Sequence, residues 1–392
     1  MKVRRVHLYF TLLLLGLCLN ACTSITDLKR DVSERVFGKE NANPPAELNE
    51  FKASVQLQQL WSSRLGKTER YDFTPVFYDG FIYATSAENQ LIKLDAKGVM
   101  QWKRQTDEPI SGGVGVGSNI LMVGTVNGSV LAYDFSGKLL WKSSLSSEIL
   151  SAPRFFDDIV IVRCGDNHIY GINALDGSRK WVYERAVPTL SLRSSAGVVV
   201  DGGAVYAGFA GGKLIAIRAD NGKMLWETSV AQPKGVTEIE RIADITSLPV
   251  VDGPIVYAVA YQGKIAAVDR RTGKVVWNRD ISSYSGLSMD GARVLVSHAI
   301  GSVYSLDYEN GKTYWRQGDL TNRDLSTPLA LGSYVAVGDI EGYVHLLSRE
   351  DGAFAGRIKL DSNPIMPQMV DMGGNQFLAQ TRNGGLFVVS IK

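Results

Sequence analysis

The sequence predicts an all-β fold, an eight-bladed β-propeller of four-stranded blades, from three observations. First, the seven tryptophans recur in one frame, about forty residues apart, which is typical of a repeat architecture. Second, a segment with the pattern of a third strand recurs eight times in the same frame. Third, the first tryptophan segment stands alone, and the last repeat lacks one. The tryptophans are Trp61, Trp102, Trp141, Trp181, Trp226, Trp277 and Trp315.

The repeat unit is clearest at residues 255–277. Apolar and polar residues alternate in short runs that are bounded by Gly, Asn or Asp, which is typical of strands joined by hairpins. A second turn then leads to a run that ends at Trp277. Each repeat therefore predicts one antiparallel blade. The eight third-strand segments are residues 90–95, 129–134, 168–173, 213–218, 264–269, 302–307, 343–348 and 385–390.

The two ends of the chain indicate how the repeats close. The last repeat stops after its third strand, while the strand at residues 56–61 has no repeat of its own. Closure removes free sheet edges, so we expect residues 56–61 to be the fourth strand of blade eight, with the propeller spanning residues 54–392. The seventh repeat has Gly356 where tryptophan is expected, which predicts weaker packing there. A β-helix or several small sandwiches are the alternative folds.

The N-terminus predicts export. Residues 1–21 have a basic start and an apolar run of about twelve residues, which is too short to span a bilayer. The run ends at Cys22 in a segment that resembles the lipobox of bacterial lipoproteins, and this resemblance implies cleavage before Cys22 and its lipidation. An ordinary signal peptide is the alternative. Thr23 resembles the sorting signal for the outer membrane, which implies a lipid-anchored protein that faces the periplasm.

Residues 22–53 are polar and contain prolines, so we expect a flexible tether with a reach of roughly 30 Å. A short helix over residues 25–37 is the alternative. Without residues 1–21 the chain has 39 basic and 40 acidic residues, since the removed segment holds three of the 42 basic residues. This near-neutral balance argues against nucleic acid as a partner. Cys164 is then the one cysteine of the propeller, and we interpret it as a small buried apolar residue.

The sequence predicts no catalytic residues, no metal site and no cofactor. His168, His298 and His345 fall in different repeats and lack the spacing of metal ligands. Residues 113–117 have the alternating glycines of a phosphate loop, but no helix follows. We interpret them as a turn between the inner two strands of blade two.

Residues 267–277 resemble the tryptophan-docking repeat of the pyrroloquinoline-quinone dehydrogenases, which are also eight-bladed. In that family the tryptophan stacks on the neighbouring blade, so the resemblance implies the fold and not catalysis. This chain lacks the Cys-Cys pair and the Cys-x-x-Cys-His motif that such enzymes often carry. A dehydrogenase is kept as the enzymatic alternative.

A closer resemblance, carried by Cys22, the tether, the lone Trp61 strand and the eight repeats, is to the BamB family of the outer-membrane β-barrel assembly machinery. This resemblance implies a non-catalytic scaffold that binds BamA through its periplasmic POTRA domains and assists the folding and insertion of β-barrel proteins. Other lipoproteins of the complex and outer-membrane protein clients are further partners that it implies. A propeller that adds unfolded client strands to its outer edges is a third hypothesis.

The spacing of the tryptophans indicates a contact surface. Most intervals are 38 to 41 residues, but those that follow Trp181 and Trp226 are 45 and 51. The additional residues lie in two loops of adjacent blades, which emerge on the same face of a propeller. The residues that match the segment by which the BamB family binds its partner are Leu190, Leu192, Arg193 and Asp244. The alternative is that the leucines begin the next inner strand and face the core.

Overall fold

A computed structural model describes residues 44–68, 71–186, 190, 192–233, 235–237, 239–365 and 368–392. These residues form 32 strands in eight four-stranded sheets, which confirms the eight-bladed propeller. The expected signal peptide, Cys22 and most of the expected tether lie outside the described residues. In the described part of the chain, no helix has the length and apolar character that crossing a membrane requires.

Blades one to seven each contain four consecutive strands, which pair in chain order from the channel outwards. Blades one and two contain β2 (Val76–Tyr78), β3 (Phe81–Ser86), β4 (Gln90–Asp95), β5 (Met100–Gln105), β6 (Gly115–Val116), β7 (Leu121–Gly124), β8 (Ser129–Tyr133) and β9 (Leu139–Ser144). Blades three and four contain β10 (Arg154–Phe156), β11 (Ile159–Arg163), β12 (Ile169–Asn173), β13 (Arg179–Tyr183), β14 (Val199–Asp201), β15 (Ala204–Phe209), β16 (Lys213–Arg218) and β17 (Met224–Ser229). A short 3-10 turn, Ala210–Gly212, lies between β15 and β16.

The remaining blades follow the same order. Blades five and six contain β18 (Val250–Asp252), β19 (Ile255–Val259), β20 (Ile265–Asp269), β21 (Val275–Arg279), β22 (Leu287–Asp290), β23 (Arg293–Ser297), β24 (Val303–Asp307) and β25 (Thr313–Gln317). Blade seven contains β26 (Leu329–Leu331), β27 (Tyr334–Gly338), β28 (Tyr343–Ser348) and β29 (Phe354–Lys359). Blade eight contains β30 (Val370–Gly373), β31 (Gln376–Gln380), β32 (Gly385–Ile391) and β1 (Leu57–Arg64).

Strand β1 closes the ring, as the sequence predicts. It pairs antiparallel with β32, so that Leu57 lies opposite Ile391 and Arg64 lies opposite Gly385. The innermost strands contact one another around the channel, and β2 of blade one contacts β30 of blade eight. The two ends of the chain are thus held in one sheet, and neither terminal repeat leaves an unpaired inner edge.

The seven tryptophans join seven of the eight blades to the next blade. The indole N–H of Trp277 donates a hydrogen bond to the carbonyl oxygen of Tyr308, across 2.9 Å, in the outer turn of blade six. Gly311 of that turn has a φ of 71°, and a Cβ there would lie 2.7 Å from the Trp277 ring. The turn therefore requires glycine both for its backbone conformation and for the space. Equivalent bonds join Trp61 to Ala96, Trp102 to Phe135, Trp141 to Ala174, Trp181 to Ala219, Trp226 to Arg270 and Trp315 to Arg349.

Blade seven lacks a tryptophan because the turn that it would contact does not exist. In blade eight the third and fourth strands, β32 and β1, come from opposite ends of the chain. The N-terminal segment occupies this position instead: the backbone N–H of Ser54 donates to the carbonyl of Ala355, across 2.9 Å. Val55 and Leu57 pack against the core of blades seven and eight. The expected weakness of blade seven is thus offset by the N-terminal residues.

Part of the expected tether belongs to the folded body, which begins at Pro45 and not at residue 54. The backbone N–H of Ala46 donates to the carbonyl of Thr321 across 2.9 Å, and Arg323 Nη1 donates to the carbonyl of Ala46 across 2.6 Å. The rings of Phe51 and Phe354 lie 5.3 Å apart. These contacts fix residues 45–53 against blades six and seven.

A buried charged cluster lies beneath this segment. Arg323 Nε donates to Asp339 Oδ2 across 2.7 Å, and the same oxygen lies 2.9 Å from His345 Nε2. Arg357 Nε donates to His345 Nδ1 across 3.0 Å, and its Nη1 donates to the carbonyl of Asn49. His345 must therefore be neutral, with its proton on Nε2. Burial, and then the charges of Arg357 and Arg323, lower its pKa, although Asp339 acts in the opposite direction.

The outermost strand of every blade carries a β-bulge at the residue before its tryptophan or before Gly356. Leu225 of β17 and Val276 of β21 are two of these residues. A bulge disrupts the regular row of hydrogen-bonding groups that an added strand needs. The bulges therefore disfavour the hypothesis that client strands extend the outer edges.

Candidate partner-docking surface

Two loops build the surface that the tryptophan spacing indicates. One joins β13 to β14 and contains Leu190, Leu192 and Arg193, and the other joins β17 to β18 and contains Asp244. The structure confirms that they lie side by side, because Ser194 Oγ donates to the carbonyl of Thr246 across 3.2 Å. We call residues 192–198 the strap.

Asp244 lies at the base of this surface, with 4% of its area exposed. One carboxylate oxygen accepts the backbone N–H of Leu192 across 2.7 Å, and the other accepts the backbone N–H of Gly211 across 2.9 Å. Gly211 has a φ of 69°, a left-handed conformation that glycine adopts readily. Asp244 therefore holds two backbone segments together, and it contributes to the surface by fixing the strap.

Arg193 is the charged group of the surface. Its guanidinium makes two hydrogen bonds to the Glu148 carboxylate, at 3.1 and 2.7 Å, and its Cζ lies 6.0 Å from the centre of the Tyr71 ring. The hydrogen bonds that Arg193 donates to Glu148 raise the pKa of its guanidinium. The side chain of Arg193 is still 44% exposed, so the guanidinium is oriented before any partner arrives.

The two leucines differ in exposure. Leu190 is 47% exposed, whereas Leu192 is half-buried against the propeller. The alternative that they begin the next inner strand is wrong, because β14 begins at Val199. Leu190 thus offers apolar area to solvent, and Leu192 anchors the strap beside it.

Residues that the sequence did not single out hold the strap from below. Arg163 Nη1 donates to the carbonyls of Ala196 and Gly208, across 3.1 and 2.7 Å. Arg154 Nε donates to the carbonyl of Val198 across 3.3 Å. Burial, and then the charge of Arg185, lower the pKa of Arg163 to about 10, which leaves it charged at neutral pH. The sequence feature that could have indicated this role is Arg163 itself, a charged residue at the end of the apolar strand β11.

A small cavity of about 230 Å³ lies under the strap, between blades three and four. Glu148, Arg163, Leu192 and Asp244 contribute to its wall, together with Cys164. Burial raises the pKa of the Cys164 thiol to about 12, which fits its interpretation as an unreactive buried side chain. The cavity is too small for a cofactor of drug-like size.

The other candidate motifs form no second site. His168 pairs with Asp166 across 2.8 Å, while His298 and His345 lie in blades six and seven. Within the residues that the structure describes, no group of three or more His, Cys, Asp or Glu could hold a metal ion. Gly115 and Val116 form the innermost strand β6, so their interpretation as a turn is wrong. A Cβ at Gly115 would overlap the carbonyl of Pro153, which explains the glycine.

The repeats and their tryptophan contacts define the class of protein as an eight-bladed propeller of the quinoprotein type. A sequence profile described as "Outer membrane protein assembly factor BamB" matches residues 98–317. The chain is 38% identical to the outer membrane protein assembly factor BamB of Burkholderia pseudomallei over 370 residues, which is 94% of this chain and 93% of that protein. The chain therefore belongs to the BamB family.

Solved structures agree with this assignment. The crystal structure of BamB from Moraxella catarrhalis matches with a TM-score of 0.78 and 28% identity, covering 85% of this chain and 99% of that one. A quinohemoprotein alcohol dehydrogenase from Comamonas testosteroni matches with a TM-score of 0.70 at 14% identity, covering 85% of this chain and 76% of that one. The second likeness shows the shared fold alone.

Proposed function

We propose that this protein is a scaffold of the outer-membrane protein assembly machinery, which binds BamA through its periplasmic POTRA domains. The family is one of assembly factors, and the chain is not an enzyme. Its role is to hold BamA in a state that favours the folding and insertion of β-barrel proteins. Other lipoproteins of the complex and the β-barrel clients are further proposed partners.

The proposed location is the periplasmic face of the outer membrane. Residues 1–21 are removed as a signal peptide, and Cys22 carries the lipid. Residues 22–43 then form the tether, which ends where the folded body begins at Pro45. Several acyl chains on one residue make such anchoring stable, whereas a single chain gives marginal binding.

The observation that carries the proposal is the exposure of Leu190 and Arg193 on one loop, whose backbone is held by hydrogen bonds at Leu192 and Ala196. An apolar side chain and a pre-oriented guanidinium, placed together, are typical of the residues that dominate binding energy at interfaces. Because Asp244, Glu148 and Arg163 already fix the strap, a partner would not have to order it. Less of the interaction free energy is then lost on binding.

The test is a titration of the detergent-purified chain with the purified POTRA region of BamA. We expect Arg193→Ala, and Leu190→Ser separately, to weaken the affinity at least about tenfold, which is 1.4 kcal/mol. The matched controls are Arg271→Ala and Leu175→Ser, two exposed residues on the turns at the opposite face. If both loop variants bind the POTRA region as the unchanged chain does, this surface does not bind BamA.

A further inference from the structure

The central channel opens on the same face as the strap. Its mouth is a cavity of about 550 Å³, lined by the residues that precede the innermost strands. Asp72 precedes β2 of blade one, and Ser195 precedes β14 of blade four; both line this cavity. The strap is therefore part of the rim of the channel as well as part of the docking surface.

One contact of the strap crosses the channel mouth. The Ser195 hydroxyl donates a hydrogen bond to the Asp72 carboxylate. Blades two and three lie between these residues in the ring, so the bond joins parts of the rim that are not neighbours. Arg193 contacts the same segment of blade one, because its Cζ lies 6.0 Å from the centre of the Tyr71 ring.

The other contacts of the strap come from its own side of the ring. Asp244 accepts the N–H of Leu192, Thr246 accepts the Ser194 hydroxyl, and Arg163 donates to the carbonyl of Ala196. These partners belong to blade three and to the loop between blades four and five. Asp72 and Tyr71 thus supply the contacts from the far side of the channel, and Asp72 makes its contact at Ser195, two residues along the strap from Arg193.

We propose that Asp72 is a positioning residue for the docking surface, since it holds the strap across the channel mouth in the conformation that presents Arg193 to the partner. This inference rests on the proposed function. Asp72 acts through Ser195 and need not touch the partner. Without this bond the contact between Arg193 and Tyr71 is left to hold the strap from the far side of the channel, and binding the partner must then also order the middle of the strap.

The test uses the detergent-purified chain, with the POTRA region of BamA as the probe. Asp72→Ala and Ser195→Ala remove the same hydrogen bond from its two ends, and we expect each to weaken the affinity about fivefold, as one net hydrogen bond allows. Asp72→Asn keeps an oxygen that accepts the Ser195 hydroxyl, so it should restore most of the affinity. Tyr284→Phe is the control, because it removes a comparable bond to Asp324 elsewhere on the rim.

Hydrogen exchange supplies a readout that is independent of the partner. In Asp72→Ala and Ser195→Ala the amides of residues 192–198 should exchange faster, while the melting temperature stays near that of the unchanged chain. If Arg193→Ala weakens binding and both of these variants bind normally, the positioning role is overturned and the proposed function stands. If Arg193→Ala also binds normally, both are overturned. Equal losses in Tyr284→Phe would likewise overturn the specific role of Asp72.

Discussion

The Asp244 carboxylate accepts the backbone N–H of Leu192 across 2.7 Å, although the two residues belong to different interblade loops. The same carboxylate accepts the N–H of Gly211, so it joins the two loops to the 3-10 turn of blade four. Asp244 and Leu192 were both predicted to face the partner. Their contact instead gives Asp244 an internal role, in which it sets the position of the residues that are exposed.

Asp244→Ala is expected to lower both stability and partner affinity. Two backbone N–H groups would lose their acceptor, and each such group costs about 1–3 kcal/mol when it is buried and unsatisfied. Chemical denaturation and titration with the POTRA region measure the two effects. Asp244→Asn can accept only one of the two bonds, so its losses should be smaller. If Asp244→Ala weakens binding with no loss of stability, the carboxylate contacts the partner directly.

The eight blades and their closure were predictable because their determinants are local. Trp277 and Gly311 each occupy a fixed place in the repeat, so their period reveals the blades without knowledge of their contacts. The loops that carry Arg193 and Asp244 were found in the same way, as departures from that period. The burial of Asp244 could not be predicted, because it depends on Gly211 and Leu192, which come together through the packing of adjacent blades.

Residues 45–53 were predicted as tether because they belong to a polar and charged segment that Pro44 and Pro45 interrupt. Their main contacts are made by backbone groups, such as the carbonyls of Ala46 and Asn49, which accept from Arg323 and Arg357. Composition describes side chains and is insensitive to such bonds. The missing tryptophan at Gly356 was the one available signal, since it marks the place that the N-terminal segment occupies.

Trp277→Ala should destabilise the protein by about 3–5 kcal/mol, the usual cost of removing a large buried aromatic side chain. The Trp277 ring is 8% exposed and joins blades five and six through its bond to Tyr308. Equilibrium unfolding in guanidinium chloride measures the change. Val276→Ala, at the exposed neighbouring position, is the control and should cost far less. A loss below about 1 kcal/mol for Trp277→Ala would mean that the blades do not depend on this contact.

Phe51→Ala tests whether the N-terminal segment contributes to folding. The ring of Phe51 contacts Phe354, and the Arg357 guanidinium lies 4.9 Å from its centre. Loss of this half-buried apolar area should cost about 1–2 kcal/mol of the free energy of unfolding. Lys52→Ala alters an exposed neighbour and should change little. Equal stabilities of the two variants would show that residues 45–53 do not stabilise the fold and act as part of the tether.

Cys22→Ala, combined with an ordinary signal-peptide cleavage site, tests the proposed anchor. A chain without lipid should be released as a periplasmic protein when the outer membrane is washed with high salt in cells that lack BamA. Fractionation followed by immunoblotting measures the distribution, with the unchanged chain as the reference. Retention of the variant on membranes under these conditions would show that another part of the chain binds lipid.

His345 should make stability depend on pH in a defined window. Burial, and then the nearby charges of Arg357 and Arg323, hold its pKa in the folded chain below the ordinary value of 6.5, while Asp339 opposes this shift. Between these two values the unfolded chain binds more protons than the folded one. The free energy of unfolding is therefore unaffected by His345 above pH 6.5. As the pH falls below 6.5 it decreases, by at most about 1.4 kcal/mol per pH unit for one proton.

The comparison that isolates this effect is His345→Gln, whose amide can donate to Asp339 and accept from Arg357 without titrating. Unfolding free energies measured between pH 7.5 and pH 5.5 should fall less steeply in His345→Gln than in the unchanged chain. Asp339 does not confound the window, because hydrogen bonds from His345 and Arg323 overcome the effect of its burial and hold its pKa below 3.8. Parallel pH profiles for the two proteins would mean that the pKa of His345 is not lowered on folding, so that the ring gains its proton over the same pH range in the folded and the unfolded chain. A protonated ring would leave Arg357 Nε without its acceptor, because Nδ1 would then carry a proton.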